Sequence, residues 1–378
     1  MASAIYLDHA ATTPMLPEVI ETITKSMQDS YGNASSIHRM GRDARKQLDK
    51  ARSMLAETIR ADARDIVFTS GGTEANNLAL TGYARANKEN GKHIITSAVE
   101  HHAVLHPLEK LQQEGFDVTF LPVDQTGAVS LDQLKAAFRE DTILVSIMHS
   151  NNETGVLQPV EDIAAFVKNT RAAMHTDAVQ SYGLSNLDVE KLGVDMLSVS
   201  AHKINGPKGT GFLYIRRGTL VDPLHAGGEQ ERRKRAGTEN VPGAAGFAKA
   251  AEEKTLSREQ AAADLSALKK HFLSRLEEEA VSFAVNGEVS RTQPHIVNIY
   301  LPGVQMESFL VQLDMEGIYA SSGSACTAGS MQPSHVIEAM YPGEERAYSS
   351  IRFSFGIGNT LEEIDKTAAV IGKIIKRS

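Results

Sequence analysis

The stretch DMLSVSAHKINGPKGTGFLYI, residues 195–215, organises the rest of the chain. Its first part is an apolar run typical of a buried strand, and this run is followed by Lys203 and then by glycines and a proline. A lysine among apolar neighbours loses its proton readily, and a neutral amine condenses with a carbonyl group. Most lysines are ordinary surface residues. The surrounding chain therefore has to decide whether Lys203 belongs to a functional site.

The composition predicts a protein that binds small molecules or other proteins. The chain has 378 residues, of which 42% are hydrophobic and 23% are charged, enough for a substantial core and more than one domain. The net charge of -8 argues against direct binding of nucleic acid. The N-terminus lacks a basic region followed by an apolar segment, and no apolar run is long enough to span a bilayer. We therefore expect a cytoplasmic protein with no membrane partner.

Short apolar strands alternate with helical segments between residues 66 and 200. This alternation predicts an α/β fold, with a mostly parallel sheet flanked by helices on both faces. In such a sheet the ligand binds beyond the carboxyl ends of the strands, so the residues that follow each strand carry the function. The strand-like runs are DIVFTS, KHIITS, DVTFLPV, TILVSIMHS and AAMHTDAV.

The C-terminal third of the chain predicts a smaller α+β domain. The run SREQAAADLSALKKHFLSRLEEEA has apolar residues at helical spacing, which suits a long connecting helix. The strand-like segments HIVNIYLPG and SIRFSFG then precede a final amphipathic helix. We place a large, cofactor-binding domain at residues 15–257. The small domain comprises residues 1–14 and 258–378.

The turn after the first strand of the alternating region is a candidate phosphate site. Gly71 and Gly72 allow close approach of the backbone, and Thr73 opens a helix whose free amides favour an anion. A plain turn with Thr73 as the helix N-cap is the alternative. A nucleotide is disfavoured, because no lysine follows at P-loop spacing and no dinucleotide fingerprint is complete.

Asp177 and Lys203 follow neighbouring strands, so a carboxylate and an amine are expected to face one ligand. This pair suits pyridoxal phosphate, because a carboxylate keeps the pyridine nitrogen protonated while a lysine holds the aldehyde carbon. Asn152 and Gln180 are candidates for hydrogen bonds to the ring hydroxyl. His101 is a candidate for contact with the ring face and for proton transfer. Each polar residue alone is more often a cap or loop residue, but their joint placement predicts a cofactor site.

Cys326 and Arg352 are candidates for the chemistry that follows cofactor binding. The neighbours of Cys326 are small and mostly polar, which indicates an exposed loop in which a thiolate can attack a substrate sulfur and carry it outward. The alternative is a small buried hydrophobe. Arg352 suits a substrate carboxylate, with an internal salt bridge as the alternative. Asn33 is a further candidate for that pocket, and the basic cluster 232–235 is expected to be a solvated face.

Cys326 is the only cysteine of the sequence. No internal disulfide and no cysteine-based zinc cluster can therefore form, and we expect no metal site.

Six segments resemble, in order, the NifS/IscS-type cysteine desulfurases of the class V aminotransferase family. The resemblance covers nearly the whole chain, from LDHAATTP near its start to SSIRFSFG near its end. It implies a homodimeric pyridoxal-phosphate enzyme of fold type I, and the length of the segment after Cys326 resembles the group I enzymes. The six segments are FTSGGTEANN, VEHHAVL, MHSNNETG, HTDAVQS, SAHKINGPKGTG and SSGSACTAGS.

The resemblance also implies a role for each candidate in cofactor binding. Lys203 is implied to be the Schiff-base lysine, Asp177 the partner of the pyridine nitrogen, and His101 the stacking residue and proton mover. Asn152 and Gln180 are implied to contact the ring oxygen. The implied phosphate ligands are Gly72, Thr73, Ser200, His202 and, from the other subunit, Thr238.

The resemblance finally implies a reaction. Cys326 is implied to be the nucleophile and Arg352 the group that binds the substrate carboxylate. The expected reaction converts L-cysteine to L-alanine, leaves a persulfide on Cys326 and passes the sulfur to an acceptor protein, such as an iron-sulfur scaffold or a tRNA thiolase. The alternatives are a selenocysteine lyase or a related lyase on the same scaffold, and a sulfur-relay protein without turnover.

Overall fold

The computed structural model describes residues 4–323 and 333–376. Cys326 lies outside the described residues. Within them the strands form a seven-stranded sheet, a three-stranded sheet and a two-stranded sheet. The strands are β1 (Ile5–Tyr6), β2 (Ile66–Thr69), β3 (His93–Ser97), β4 (Asp117–Leu121), β5 (Thr142–Ser146), β6 (Ala173–Asp177), β7 (Met196–Ser200), β8 (Gly211–Ile215), β9 (Ala284–Val285), β10 (Ile296–Tyr300), β11 (Ile318–Tyr319) and β12 (Ser350–Ser354).

Helices cover both faces of the large sheet. A π-helical turn, Leu78–Gly82, joins the helix Gly72–Asn77 to the helix Tyr83–Ala86. The α-helices are α1 (Pro17–Asp29), α2 (Arg39–Thr58), α3 (Gly72–Asn77), α4 (Tyr83–Ala86), α5 (His102–Gln113), α6 (Leu131–Ala137), α7 (Val160–Val167), α8 (Val189–Leu192), α9 (Val241–Glu278), α10 (Met306–Met315), α11 (His335–Met340) and α12 (Leu361–Ile375).

The seven-stranded sheet has the order β2-β8-β7-β6-β5-β3-β4. Strands β3 to β7 pair in parallel, whereas β8 is antiparallel to both of its neighbours. Strands β2, β3 and β5 to β8 are buried along their whole length, because helices cover both faces of the sheet. This confirms the predicted α/β fold with a mostly parallel sheet. It also brings the carboxyl ends of β6 and β7 side by side.

A second core surrounds the three-stranded sheet, whose order is β12-β10-β9. Phe353 of β12 packs against Phe272, with ring centroids 4.9 Å apart. Strand β1 pairs in parallel with β11, so the N-terminus of the chain joins this C-terminal half. The N-terminal residues that follow β1 thereby reach the large sheet at the carboxyl ends of its parallel strands.

Helix α9 has 38 residues and contributes to both cores. Its first part, including Phe247, is buried against the large sheet. Its last part, including Leu268 and Phe272, is buried in the second core. The predicted domain boundary at residues 257 and 258 falls inside this helix and remains a prediction. In the described part of the chain no helix is long and apolar enough to cross a membrane.

Candidate active site

Ten of the thirteen predicted site residues line one cavity of about 340 Å³. This cavity lies beyond the carboxyl ends of the parallel strands, where ligands bind in sheets of this kind. The strand-end reasoning therefore brings together residues that are far apart in sequence. The ten residues are Gly72, Thr73, His101, Asn152, Asp177, Gln180, Ser200, His202, Lys203 and Arg352.

Lys203 lies in a short 3-10 turn, Ala201–Lys203, directly after β7. Its Nζ atom donates hydrogen bonds to the carbonyl oxygens of Ala10 at 2.5 Å and Ala11 at 2.8 Å. These carbonyls come from the N-terminal segment and hold the amine at the wall of the cavity. Strand-end reasoning missed both acceptors, because they are more than 190 residues from Lys203 in the sequence.

Asp177 is the last residue of β6 and is buried. Its Oδ2 atom accepts a hydrogen bond from Nδ2 of Asn76 at 2.6 Å, and its Oδ1 atom accepts one from the amide of Val179 at 2.9 Å. Burial raises the pKa of Asp177, while these two hydrogen bonds and the charge of Lys203 oppose the rise. A buried carboxylate of this kind is stabilised by a cationic ligand group, such as a protonated pyridine nitrogen.

Asn76 is a site residue that the sequence analysis missed. It lines the cavity and is fully buried, and its Oδ1 atom has no hydrogen-bond partner among the described residues. The signal for it was present in the sequence, because Asn76 lies three residues after Thr73 in α3 and hence on the same face of the helix.

The turn between β2 and α3 forms a narrow backbone cradle. Gly71 has a φ of 150°, which favours glycine. A Cβ atom on Gly72 would lie 2.7 Å from Cγ2 of Val179, so a larger residue has no room there. The hydroxyl of Ser200 is buried beside this cradle and has no hydrogen-bond partner among the described residues. An unsatisfied hydroxyl next to the start of a helix suits a bound phosphate.

His101 caps the N-terminus of α5 through its ring. Its Nδ1 atom accepts a hydrogen bond from the amide of Ala103 at 3.0 Å. Burial, followed by the charges of Lys203 and the neighbouring histidines, lowers the pKa of His101 to about 4. The imidazole is therefore neutral at pH 7 with its proton on Nε2, because Nδ1 is the acceptor. In this state Nε2 donates a hydrogen bond.

Arg352 lies in β12 and is 4% exposed. Its Nη2 atom pairs with Oδ1 of Asp8 at 2.8 Å, and its Nη1 atom donates to the carbonyl of Asn152 at 2.8 Å. Its Nε atom has no partner among the described residues. The internal salt bridge considered for Arg352 is thus present, and the guanidinium still has an unused donor beside the cavity.

Asn152, Gln180 and His202 complete the polar lining. The buried Oδ1 atom of Asn152 has no hydrogen-bond partner in the described part of the chain. Gln180 donates from Nε2 to the carbonyl of Ala10 at 2.9 Å, and Nδ1 of His202 lies 3.2 Å from the hydroxyl of Thr12. Gln180 thus presents its remaining side-chain oxygen for any further contact.

Three predicted residues are not among those that line the cavity. Thr238 is exposed, and its predicted contact with the other subunit remains a prediction. Asn33 is exposed and accepts a hydrogen bond from the amide of Ser35 at 2.8 Å within its own loop. Cys326 lies outside the described residues. Gly323, the last residue described before it, lines the cavity.

The fold and this site define the chain as a member of the aminotransferase class-V family, whose family model matches residues 5–367. The chain is 52% identical over 375 residues to a protein of Bacillus subtilis (strain 168) named putative cysteine desulfurase IscS 1, covering 99% of both chains. The implied membership of the family is confirmed.

Solved structures lead to the same family. A structure named NifS-like protein has a TM-score of 0.93 and 36% identity, covering 99% of this chain and 100% of the other. A structure named SspA in complex with cysteine has a TM-score of 0.82 and 35% identity, covering 93% of this chain and 98% of the other. These similarities confirm the predicted fold class.

Pyridoxal phosphate is the cofactor of this family, and the cavity fits it. The fit rests on the glycine cradle, the orphaned hydroxyl of Ser200, the buried carboxylate of Asp177 and the amine of Lys203. A phosphate, a protonated ring nitrogen and an aldehyde carbon are the groups that would satisfy these residues.

Proposed function

We propose that the protein is an L-cysteine desulfurase, which converts L-cysteine to L-alanine and leaves a persulfide on Cys326. The observation that carries this proposal is the convergence of Lys203, Asp177 and Arg352 on one cavity. The similarity to proteins named cysteine desulfurase supports the choice of substrate. The similar structure of SspA, which is a complex with cysteine, also supports it.

Bound pyridoxal phosphate supplies an electron sink for negative charge at the α-carbon of the substrate. Gly72, Thr73, Ser200 and His202 are the proposed phosphate ligands. Asp177 is the proposed partner of the ring nitrogen. These residues lie at fixed strand and helix ends that line the cavity, so little ordering is needed when the cofactor binds.

The chain's own residues divide the remaining tasks. Arg352 lines the cavity and binds the substrate carboxylate with its guanidinium. Lys203 moves the α-proton, because the Nδ1 atom of His101 is already a hydrogen-bond acceptor and its Nε2 atom carries a proton. We therefore assign His101 to contact with the ring face and to hydrogen-bond donation from Nε2. Asn152 and Gln180 are assigned to contacts with the ring oxygen.

Cys326 is proposed to act as the nucleophile. Its thiolate forms an S–S bond with the substrate sulfur while the bond between that sulfur and the substrate β-carbon breaks. The electron pair of the broken bond stays with the carbon fragment, which takes up protons and leaves as L-alanine. No external oxidant or reductant is needed, because one sulfur–carbon bond is exchanged for one sulfur–sulfur bond.

We further propose that the enzyme is a cytoplasmic homodimer in which Thr238 reaches the phosphate of the other subunit. Its sulfur acceptor is proposed to be a scaffold for iron-sulfur assembly or a tRNA thiolase. The single cysteine of the chain supports the cytoplasmic location, because an internal disulfide cannot form. Asn33 is kept as a proposed contributor to substrate binding.

The test is a comparison of the wild-type holoenzyme with Cys326→Ser, using L-cysteine and a reductant. The wild type should release sulfide and L-alanine in equal amounts. Cys326→Ser should still bind the cofactor and L-cysteine but release no sulfide. Full sulfide release by the variant would remove Cys326 from the mechanism. Retained L-alanine formation from selenocysteine in the variant would instead identify a selenocysteine lyase.

A further inference from the structure

A second cavity, of about 240 Å³, adjoins the active-site cavity at Lys203. Lys203 lines both cavities. His9 lines the second cavity, whereas the next two residues, Ala10 and Ala11, line the first and hold the amine of Lys203. The N-terminal segment therefore forms part of the wall between the two cavities.

One side of the second cavity is apolar. Helix α9 contributes Leu265 and Leu268, and the segment after β12 contributes Phe355. These side chains belong to the second hydrophobic core, and they also border the open space of the cavity. A cavity of this volume has room for roughly eight water molecules. It therefore suits a ligand with an apolar part of only a few carbon atoms.

Lys254 of α9 brings a positive charge to this cavity. Its side chain is half-buried and packs against Gly183, where a Cβ atom would lie 3.4 Å from the lysine stem. It makes no hydrogen bond or ion pair with any residue that the structure describes. By contrast, Lys249 of the same helix pairs with Glu252 at 2.9 Å and Glu253 at 2.7 Å. Burial lowers the pKa of Lys254, and no carboxylate in the described ranges opposes that effect.

Two buried histidines line the same cavity. His9 is 4% exposed and His295 is 7% exposed. The ring of His9 lies close to the backbone of Tyr6 and the side chain of Asn359. The Nδ1 atom of His295 has no hydrogen-bond partner among the described residues. Buried polar groups in native proteins are normally satisfied, so unsatisfied groups beside a cavity indicate a missing partner.

The charges around the cavity are unbalanced. Lys254 lowers the pKa of both His9 and His295, which places the three groups within electrostatic range of one another. Asp264 is the one acidic residue among the described residues of the lining, and it is exposed and accepts a hydrogen bond from Gln260 instead. Among the described residues, the cavity thus offers the cation of Lys254 and the unsatisfied imidazole of His295 without a facing carboxylate, opposite an apolar wall.

We propose that the second cavity binds a small carboxylate, with its charged group at Lys254 near His9 and His295 and its carbon chain against Leu265 and Leu268. A carboxylate supplies the acceptor that Lys254 and His295 lack, and a short chain fills the apolar side. This site is separate from the substrate contact at Arg352 and does not depend on the proposed reaction.

The probe for this site is 4,4,4-trifluorobutyrate, titrated into the holoenzyme and followed by fluorine NMR. In Lys254→Met its dissociation constant should increase by about tenfold or more, as expected for the loss of a partly buried charge partner. The matched control is Lys270→Met, because Lys270 is an exposed lysine on the same helix. Its dissociation constant should match that of the wild type.

Two further comparisons distinguish binding in this cavity from binding of the probe elsewhere on the protein. Binding of the probe at Arg352 would be the same in both lysine variants and cannot produce a difference between them. The neutral 4,4,4-trifluorobutyramide should bind the wild type at least tenfold more weakly than the acid, because it lacks the charge. Equal affinity of the acid for Lys254→Met and Lys270→Met, or equal affinity of acid and amide for the wild type, would overturn the proposal.

Folding of the variants is checked by their melting temperatures and by the visible absorbance of the cofactor. If Lys254→Met does not fold, Ala261→Leu provides the second test, because Ala261 lines the cavity and a larger side chain fills it. The affinity of the protein for 4,4,4-trifluorobutyrate should then fall, although the charge of the cavity is unchanged. Undiminished affinity in Ala261→Leu would place the probe elsewhere.

Discussion

Arg352 pairs with Asp8 at 2.8 Å beside the active-site cavity, although the two residues are 344 positions apart in the sequence. The proposed substrate-binding arginine therefore already has an anionic partner. A substrate carboxylate bound by this arginine would share one guanidinium charge with Asp8. Under the proposed function, the strength of substrate binding would depend on Asp8 as well as on Arg352.

We predict that Asp8→Asn lowers the KM for L-cysteine by about fivefold. The asparagine oxygen can still accept the hydrogen bond, but it no longer neutralises the arginine, and a partly exposed ion pair is worth about 1 kcal/mol. Arg352→Lys should have the opposite effect and raise KM at least tenfold, because lysine lacks the planar pair of donors. Steady-state kinetics with L-cysteine measure KM for both variants. A raised KM in Asp8→Asn would contradict the sharing of the guanidinium charge between Asp8 and the substrate.

Asn76→Ala should weaken binding of pyridoxal phosphate by about tenfold or more. The substitution removes the hydrogen bond of 2.6 Å to Asp177, and hydrogen bonds to charged groups contribute about 1.5–3 kcal/mol. Titration of the apoenzyme with the cofactor measures this effect. The control is Asn77→Ala, whose side chain donates only to the carbonyl of Thr73. Equal affinities of the two variants would show that Asn76 does not support Asp177.

Glu100 should make the stability of the protein fall as the pH rises. Its carboxyl group is buried and accepts hydrogen bonds from Ser97 and the amide of Met148. Burial raises the pKa of Glu100 to about 8, whereas the ordinary value is 4.5. The folded state therefore keeps this proton between those two pH values while the unfolded state releases it. The resulting stabilisation is complete below pH 4.5 and is lost as the pH rises to about 8.

Glu100→Gln tests this dependence, because glutamine resembles the protonated acid. Between pH 5.5 and pH 8.5 the wild type should lose about 2–4 kcal/mol of stability relative to this variant. Chemical denaturation at the two pH values gives the measurement. Glu140→Gln, which changes an exposed glutamate, is the control and should follow the wild type. Parallel pH profiles of wild type and Glu100→Gln would show that Glu100 is ionised in the folded state.

Glu231→Gln should destabilise the protein by about 3–5 kcal/mol, because it leaves the buried guanidinium of Arg52 without a counter-charge. The two residues form a bidentate pair at 2.6 and 2.7 Å, and Glu231 also accepts from the amide of Phe68. The control is Asp62→Asn, which breaks an exposed pair with Arg64 and should cost less than about 1 kcal/mol. Similar losses of unfolding free energy in Glu231→Gln and Asp62→Asn would show that burial does not determine how much each ion pair contributes to stability.

The sequence predicted those site residues that follow strands of the large sheet. Asp177 ends β6, and Lys203, His101 and Gly72 follow β7, β3 and β2, so the alternation of strands and helices was enough to bring them together. Asp8, Ala10 and Ala11 were missed. They reach the site because β1 pairs with β11, and a pairing between two-residue strands more than 300 positions apart leaves no periodic signal.

The sequence analysis also missed the antiparallel direction of β8. Its apolar run, GFLYI, is buried on both faces like those of the parallel strands, so composition does not distinguish its direction. Its direction follows instead from the short connection after β7, because a parallel return would need a long crossover.

Helix α9 has a consequence for how the protein unfolds. Residues 252–264, all described by the structure, include none that is buried, yet they connect two cores through one continuous helix of roughly 57 Å. Melting of either core frees one end of this helix and removes support from the other. Amide hydrogen exchange should therefore report similar opening free energies for Phe247 and Phe272. This result would mean that the two hydrophobic cores unfold as one cooperative unit.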